Sequence, residues 1–489
     1  MTEHRTPTGP GGQPPATAAA QDRGVPGHLE TSAVAGTSGA ISSREAGSTE
    51  SGPGTVSGLL ASSALLPAAF TLVAFVLYTA LSWVMWSNTI SPSWDLGIFT
   101  QLAKAYGNLE APIVDIKGDG YNLLGDHFHP ILVLLGPFYA LFPSGSTLLI
   151  IQAALFAVSA WPVVSLAQER LGKPAAALLG GSYVFSWGLL NAVWAQFHEI
   201  AFAVPLLAFG LVWWIRGRTV PAIIAISLLV FVKEDLGLTV AAVGAAFYLR
   251  ERTDRNLKTG VFLAVWGIVW FVLSTMVILP ALNPQGQWDY TDNLSLLDQV
   301  MAGAGMKTLI LVILALSTGV IGLKSPLMLI MVPTLAWRFV GNVDYYWGWE
   351  FHYSAVLIPV AAISLIDVAT ERWRTVAPLI AFCTSLVMLP QTEIDLLWDH
   401  EGYVSDSSGA IEAASQYDIV AADISLLAYL VPHTNVYWYG TLGDVEPDAI
   451  AVNWWRLGEP AEPWAEERFG GDWDTIYSDD RWEVIVPAE

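Results

Sequence analysis

The chain has 489 residues, of which 54% are hydrophobic and 13% are charged, and its net charge is −22. Soluble domains usually contain about 25% charged residues, so this composition excludes an ordinary water-soluble globular protein. The negative charge argues against nucleic acid as a partner, because the phosphate backbone attracts basic surfaces. The composition instead predicts a protein embedded in the lipid bilayer.

A disordered tail and a helical membrane domain are predicted for the first 390 residues. Residues 1–57 consist mainly of Gly, Pro, Ser, Thr and Ala, which cannot form a packed core. The next apolar run has no small-residue cleavage site after it, so we interpret it as a retained membrane helix. Eleven apolar runs then predict a mainly α-helical polytopic bundle over residues 58–390, with about 11 spans. The runs are 58–87, 145–167, 174–195, 200–215, 219–232, 236–250, 259–281, 307–323, 325–338, 353–368 and 375–390.

Charges in the connections predict the orientation of the bundle. One alternate set of connections has eleven basic residues and five acids, and the other has thirteen acids and five basic residues. Since basic loops remain in the cytoplasm, the first set is predicted to be cytoplasmic, together with the amino terminus. The second set, with the large first loop 88–144, then lies outside the plasma membrane. The basic set is Arg170, Lys173, Arg216, Arg218, Arg250, Arg252, Arg255, Lys258, Lys324, Arg372 and Arg374.

The run 130–142 lies inside the first outer loop and is too short to cross the bilayer. A full crossing would also move Arg170 and Lys173 outside and break the charge alternation. We therefore expect a half-embedded or interfacial helix.

The segment 391–489 has a different pattern. Five short β-rich runs alternate with helical stretches near 409–416 and 423–431. Asp479 and Asp480 separate the last two runs and predict a hairpin turn. Because the segment has 21 acids and 3 basic residues, we expect a small, acidic, extracytoplasmic α/β domain. The β-rich runs are 418–422, 435–439, 448–454, 473–478 and 482–486.

Ionisable residues occur in the outer connections, within a few residues of the apolar runs. An ionised side chain next to hydrocarbon costs several kcal/mol unless it is paired or faces a water-filled cavity. Because these residues share one side of the membrane, we expect them to surround a single hydrated cavity. They are Asp95, Asp126, His127, His129, His198, Glu199, Lys233, Glu234, Asp235, Glu350 and His352.

The same residues have alternative interpretations, in which their roles are structural. Asp95 follows Ser-Pro-Ser and could cap a helix that starts at Leu96. Residues 126–129 could form a solvated turn, and residues 233–235 could neutralise one another as a salt-bridge cluster. The aromatic stretch around 350–352 could be part of an interfacial aromatic belt.

Several motifs resemble those of an uncharacterised family of bacterial polytopic membrane proteins. They are SWDLGIFTQ, LGDHFHPILVLLGPFYALFP, FHEIAF, KEDLGL and PHTNVYWYG, and the resemblance covers residues 58–450. That family resembles the GT-C class of membrane glycosyltransferases. The resemblance implies a multi-span enzyme that takes a sugar from a polyprenyl-phosphate donor on the outer face and transfers it to a cell-envelope acceptor. It also implies that a carboxylate in the first outer loop acts on the acceptor, and the matching position is Asp95.

The first outer loop departs from the GT-C pattern in one respect, because it lacks the Asp-x-Asp or Glu-x-Asp pair that is common there. The use of a divalent metal therefore stays open. Inverting sugar transfer needs a carboxylate near the acceptor hydroxyl and a cation near the leaving phosphate. We expect Asp95 to be the base, with Asp126 as the second candidate, and Lys233 and His198 to meet the phosphate. The helix at 130–142 would line a groove for the lipid chain, and the α/β domain would hold the acceptor.

Three other functions stay open. The first is an ion- or proton-coupled transporter, although the sequence shows no clear internal repeat. Its ion path would consist of His198, Glu199, Glu234 and Asp235. The second is a metal-dependent hydrolase, although no HExxH spacing is present. Its ligands would be His127, His129, His198 and His352 together with carboxylates. The third is a catalytically inactive membrane scaffold that has kept the fold.

Overall fold

The structure is a computed structural model that describes residues 53–284, 301–341, 343–400 and 406–488. These ranges contain nineteen α-helices and one five-stranded sheet, so the predicted mainly helical fold is confirmed. The described residues from 61 onward form one compact unit. Most of the predicted tail, residues 1–52, lies outside the described ranges.

The helices of the bundle follow the predicted apolar runs. Five of them are long and apolar enough to cross a bilayer, namely Ala64–Ser87, Gly145–Leu171, Lys173–Trp194, Asp254–Leu282 and Glu371–Gln391. The other predicted spans are apolar helices of 10–17 residues, so the number of spans stays a prediction. The α-helices are α1 Pro53–Ser87, α2 Asp95–Gly107, α3 Gly136–Leu141, α4 Gly145–Leu171, α5 Lys173–Val184, α6 Trp187–Trp194, α7 Ala203–Ile215, α8 Thr219–Ser227, α9 Leu236–Arg250, α10 Asp254–Leu273, α11 Leu279–Leu282, α12 Ala304–Ser317, α13 Val332–Val340, α14 Leu357–Val368 and α15 Val376–Met388.

Helices α1 and α10 expose broad apolar surfaces. Leu72 and Val76 of α1 are 62% and 58% exposed, and Val265 of α10 is 57% exposed. Apolar surfaces of this extent are unfavourable in water. We therefore expect them to face the hydrocarbon of the bilayer.

Connections of the basic set contact one another at one end of the bundle. Arg216 Nε lies 3.0 Å from Glu169 Oε2, and Arg250 Nε lies 2.8 Å from Asp367 Oδ1. Arg374 Nε donates to the carbonyl oxygen of Leu171 at 2.6 Å. The charges that predict the cytoplasmic side are thus gathered together, and the orientation itself stays a prediction.

Helices α9 and α10 pack closely because glycines face each other along their contact. A Cβ atom at Gly267 would collide with the carbonyl oxygen of Gly237, and one at Gly244 would lie 2.5 Å from the carbonyl oxygen of Gly260. Small residues of this kind allow two helix backbones to approach in a membrane.

Gly267→Ala is expected to lower the free energy of unfolding by about 1–3 kcal/mol, because the added methyl must push α9 and α10 apart. Thermal unfolding of the purified protein in detergent measures this effect. Gly305→Ala is the matched control, since a Cβ there meets no atom within 4 Å. Equal stability of the two variants would contradict the close-packing argument.

The run predicted as an interfacial helix forms a 3₁₀ turn at Pro130–Leu135 followed by α3. Leu132 and Tyr139 are buried, whereas Leu134 and Phe138 are more than half exposed. The segment therefore has one face against the protein and one apolar face that is free, as expected for a helix at the membrane surface. Its position in the bilayer stays a prediction.

The carboxy-terminal segment folds into a five-stranded sheet in the order β2-β1-β3-β5-β4, which confirms the predicted α/β fold. Strand β1 is parallel to β2 and β3, while β5 is antiparallel to β3 and β4. The turn at Asp479 and Asp480 joins β4 and β5, as the sequence predicts. The elements are α16 Ser408–Ala414, β1 Ile419–Ala422, α17 Leu427–Leu430, β2 Asn435–Trp438, β3 Ala449–Asn453, α18 Trp454–Leu457, α19 Ala461–Phe469, β4 Trp473–Ser478 and β5 Trp482–Pro487.

The sheet domain is attached to α1 and to the first outer loop by partly buried hydrogen bonds and an aromatic contact. Lys104 Nζ of α2 donates to the carbonyl oxygens of Val431 and Thr434 at 2.6 and 3.0 Å. Trp86, at the end of α1, stacks on Tyr429 with ring centroids 3.9 Å apart. These contacts hold the domain beside the outer connections, where the candidate site lies.

Candidate functional site

The outer connections bring their ionisable residues into one cluster. Asp95 is the first residue of α2, residues 126–129 lie further along the same outer loop, and the connection between α6 and α7 supplies residues 198 and 199. The connection before α9 supplies residues 233–235, and His352 comes from the segment before α14. Direct contacts join these five segments, as described below.

Asp95 is held beside His198 at the start of α2. Its Oδ2 atom accepts a hydrogen bond from Ser93 Oγ at 2.6 Å and lies 3.4 Å from His198 Nε2. Burial acts to raise the pKa of Asp95, but His198 and Ser93 outweigh it and hold the pKa below its ordinary value. The Asp95 side chain keeps 30% of its surface exposed. The carboxylate is therefore ionised and accessible.

The alternative that Asp95 caps a helix starting at Leu96 is wrong. Helix α2 begins at Asp95 itself. The backbone N–H of Asp95 donates to Ser93 Oγ at 3.3 Å, so Ser93 supplies the hydroxyl at this helix end. The carboxylate of Asp95 is thus left to face His198.

His198 also stacks on His352. The two ring centroids are 3.7 Å apart, with an interplanar angle of 28°, and the backbone N–H of His198 donates to Gln152 Oε1 at 3.1 Å. His352 Nδ1 is buried and has no hydrogen-bond partner in the described part of the chain. A buried polar atom without a partner is costly, which makes His352 a candidate contact for a substrate.

Two buried acids cross-link the connections through ion pairs. Glu199, which is 2% exposed, lies 2.9 Å from Lys233 Nζ. Glu234 lies 2.8 Å from His127 Nδ1 and accepts a hydrogen bond from the backbone N–H of Phe128 at 3.0 Å. The alternative of a self-contained cluster at 233–235 therefore does not describe these pairs, because each partner comes from a different connection.

Asp126 pairs with Lys117 at 2.9 Å. Burial acts to raise the pKa of Asp126, but Lys117 and the neighbouring His127 outweigh it and lower the pKa to about 2. A carboxylate with so low a pKa is a weak proton acceptor. The Lys117 ion pair and the lower exposure of Asp126, 11% against 30% for Asp95, favour Asp95 as a general base.

His129 is almost fully buried and packs edge-on against Phe99, with ring centroids 6.0 Å apart. Burial lowers the pKa of His129 to about 4, so the imidazole is neutral at pH 7. The alternative of a solvated turn at 126–129 is thus wrong for His129. Its side chain instead packs inside the site.

An aromatic segment at 344–353 packs beside the cluster. Burial raises the pKa of Tyr346, and Lys233, Asp95 and Asp126 also act on it, so the Tyr346 hydroxyl lies within electrostatic range of these three residues. Arg338 is fully buried and fixes the segment, because it donates to the carbonyl oxygens of Tyr346 and Gly348 at 2.7 and 2.6 Å. The segment therefore packs against the cluster and is not only part of an interfacial aromatic belt.

Glu350 does not take part in the ion pairs of the other acids within the described ranges. It is half-buried, and it forms no ion pair or hydrogen bond within the part of the chain that the structure describes. Its carboxylate interacts electrostatically with Arg338. Its assignment as a substrate-binding residue stays a prediction.

A small cavity lies between Lys233, Asp235, His352 and Tyr353. Its volume is about 20 Å³, which is room for a single water molecule. Asp235 Oδ1 is buried without a hydrogen-bond partner in the described ranges. The cavity is thus bordered by a cation and by two residues that each have a polar atom without a partner, which is a setting that suits a bound water molecule.

A metal site is a separate question. Across residues 53–284, 301–341, 343–400 and 406–488, no group of three or more His, Cys, Asp or Glu residues is arranged to hold a metal ion. The four histidines proposed as hydrolase ligands are instead divided among stacking contacts and ion pairs with different partners. The geometry therefore gives no support to the hydrolase alternative.

Sequence reasoning missed three residues that shape the site. Lys117 and Arg338 were visible as two of the few basic residues in the outer connections. Tyr346 lies in a run of aromatic residues that carries no local sign of its neighbours. For Lys117 and Arg338, a rare charge beside an apolar run was thus the only signal in the sequence. Tyr346 had none.

Comparison with known proteins identifies the family. The family described as "Predicted membrane protein (DUF2079)" matches residues 83–397. The chain belongs to this family. All eleven site residues predicted from the sequence lie within the DUF2079 match, whereas the sheet domain lies outside it. No curated protein matches the sequence.

The fold is similar to that of ArnT from Cupriavidus metallidurans. The crystal structure of ArnT bound to undecaprenyl phosphate matches with a TM-score of 0.53 and 14% identity, and the match covers 86% of this chain and 97% of ArnT. The apo structure matches with a TM-score of 0.52 and 14% identity, covering 86% and 98%. ArnT is a GT-C glycosyltransferase. The predicted GT-C-like architecture of this DUF2079 protein is therefore confirmed at the level of the fold.

Proposed function

We propose that the protein is a membrane glycosyltransferase that moves a sugar from a polyprenyl-phosphate donor to an acceptor in the cell envelope. One observation carries the proposal: Asp95 is an ionised, 30% exposed carboxylate, held by Ser93 and His198. It lies at the start of α2 in a fold similar to that of ArnT bound to undecaprenyl phosphate.

Asp95 would act as the general base. Its carboxylate would accept the proton of the acceptor hydroxyl as that oxygen attacks the anomeric carbon of the sugar, and the polyprenyl phosphate would leave. His198, 3.4 Å away, would orient the carboxylate. The stacking of His198 on His352 would hold that imidazole in place.

Lys233 would contact the phosphate of the donor. An ammonium group has three N–H donors, and one of them is directed to Glu199 at 2.9 Å. The other two have no partner in the described ranges, and Lys233 borders the cavity that His352 also lines. A cation at this point would stabilise the negative charge that develops on the leaving phosphate.

The predicted topology fits this chemistry. With the amino terminus in the cytoplasm, the site and the sheet domain would lie on the outer face of the plasma membrane, where the sugar of a polyprenyl-phosphate donor is presented. The free apolar face of the Pro130–Leu141 segment would contact the polyprenyl chain. Residues 1–57 would form the cytoplasmic tail, and residues 391–489 the extracytoplasmic domain.

The proposal is tested by incubating membranes with radiolabelled polyprenyl-phosphate sugars. Membranes that contain the protein are expected to transfer label to envelope material, and membranes from a deletion strain are not. Equal transfer by the two preparations, for every donor sugar tried, would refute the proposal. Repeating the assay with a chelator determines whether transfer needs a divalent metal.

A further inference from the structure

The sheet domain has a topological switch point, where ligands bind in open α/β sheets. Strand β1 lies between β2 and β3 and is parallel to both. The chain leaves β1 towards β2 on one side, and β3 is added on the other side. A crevice is expected at the carboxyl ends of β1 and β3, where the connections diverge.

A fixed arginine occupies this point. Asp423 directly follows β1, and Arg456 lies just after β3. Arg456 Nη1 donates to Asp423 Oδ1 and Ser425 Oγ, both at 3.1 Å. Asp423 is buried, whereas the Arg456 side chain is 42% exposed. The buried acid therefore orients the guanidinium, whose other N–H groups have no partner in the described ranges.

Two tryptophans directly precede the arginine in α18. Trp454 and Trp455 stack with ring centroids 4.7 Å apart, and Trp455 is 69% exposed. A hydrogen bond of 3.1 Å from Trp455 Nε1 to the carbonyl oxygen of Asp480 fixes the exposed ring. A sugar ring has apolar C–H groups on its face and polar hydroxyls at its edge. The exposed indole of Trp455 can pack against the C–H groups, and the N–H groups of Arg456 can donate to the hydroxyls.

The same edge of the sheet reaches the candidate catalytic residue. Trp438, the last residue of β2, packs edge-on against Trp94 with ring centroids 4.9 Å apart. Trp94 immediately precedes Asp95 in the chain. Thr441 Oγ1, just beyond β2, donates to the carbonyl oxygen of Ile116 at 2.6 Å. The carboxyl ends of the parallel strands therefore point to the outer loop that carries Asp95.

From this arrangement we infer that Trp455 and Arg456 form a saccharide subsite, which binds a neutral sugar of the acceptor while another part of the acceptor reaches Asp95. The ligand is a neutral saccharide, because residues 391–489 have 21 acids and 3 basic residues and repel an anionic chain. The assignment of this sugar to the acceptor rests on the proposed transferase function.

The experiment measures saccharide binding directly. Fluorescently labelled full-length protein in detergent is applied to an array of neutral oligosaccharides built from glucose, mannose, galactose or arabinose. We expect binding to at least one series, and we expect Trp455→Ala and Arg456→Ala each to weaken it about tenfold. Trp455→Phe should restore part of the affinity, because it restores an aromatic face.

Controls separate a subsite from a general loss of structure. Arg468→Ala removes another arginine of the same domain, which lies over Trp464 and Phe469, and it should leave binding unchanged. Because Arg456→Ala leaves the buried Asp423 without its cation, the exposed Trp455 provides the second, structurally mild variant. No binding by the wild type, or unchanged binding in Trp455→Ala, would overturn the inference.

Failure of the two proposals can be distinguished. Asp95→Asn should abolish sugar transfer and keep oligosaccharide binding. Oligosaccharide binding without any transfer by the wild type would refute the transferase proposal and leave the saccharide site. Transfer with normal acceptor KM in Trp455→Ala would refute the subsite and leave the transferase.

Discussion

Asp95→Asn is expected to lower the rate of sugar transfer about 10²- to 10⁴-fold, which is the usual contribution of a general base. The amide keeps the size of the carboxylate and can still accept the hydrogen bond from Ser93, so the fold should be retained. It cannot accept the proton of the acceptor hydroxyl. Transfer from a radiolabelled polyprenyl-phosphate sugar, at matched expression, is the measurement.

A matched control for this variant lies in the same loop. Asp119 is exposed and accepts a hydrogen bond from Tyr437 at 3.2 Å, which an asparagine oxygen can also accept. Asp119→Asn removes one negative charge from the loop without touching the site, and it should keep wild-type transfer. If Asp95→Asn were as active as this control, Asp95 would not be the base.

Lys233→Met is expected to destabilise the protein by about 3–5 kcal/mol, because it leaves a buried carboxylate without its cation. That carboxylate belongs to Glu199, which is 2% exposed and lies 2.9 Å from Lys233 Nζ. Thermal unfolding in detergent measures the loss. Lys258→Met, at an exposed lysine with no ion pair in the described ranges, should leave the stability nearly unchanged.

A double variant separates the structural role of Lys233 from its proposed role in binding. Glu199→Gln removes the charge that Lys233→Met leaves unpaired, so the double variant should recover most of the lost stability. It should still bind undecaprenyl phosphate about 10- to 100-fold more weakly than the wild type, because a charge-assisted hydrogen bond is lost. Wild-type affinity in the stable double variant would refute the phosphate contact.

The sequence predicted the elements of this fold because each has a local signature. The 15-residue helix α9 coincides with the apolar run 236–250, and all five strands lie within two residues of their predicted bounds. Apolar runs that must be buried in lipid, and short β-rich runs between polar turns, are determined by neighbours along the chain. The rarity of charge near the apolar runs also singled out residues that the structure brings into contact, among them Asp95, His198 and His352.

Pairing within the site could not be predicted from the sequence. Lys233 is adjacent to Glu234 and Asp235 in the chain, yet its ion pair is with Glu199, which lies in the connection between α6 and α7. Glu234 pairs with His127, 107 residues away. Asp95 meets His198, and His198 meets His352, only because three separate helix ends lie side by side.

There is a physical reason why the sequence predicts the elements of the fold but not the contacts between them. Composition and hydropathy along the chain determine which segments enter the membrane and which side chains cannot remain alone near hydrocarbon. The sequence by itself therefore determined a helical membrane protein with a carboxy-terminal sheet domain, and it singled out eleven ionisable residues near the apolar runs. Only the packing of the helix ends decided that Asp95 is accessible beside His198, that Asp126 is neutralised by Lys117, and that Arg456 is presented by a buried acid. Contacts of this kind depend on directions and distances between elements, which no local pattern encodes.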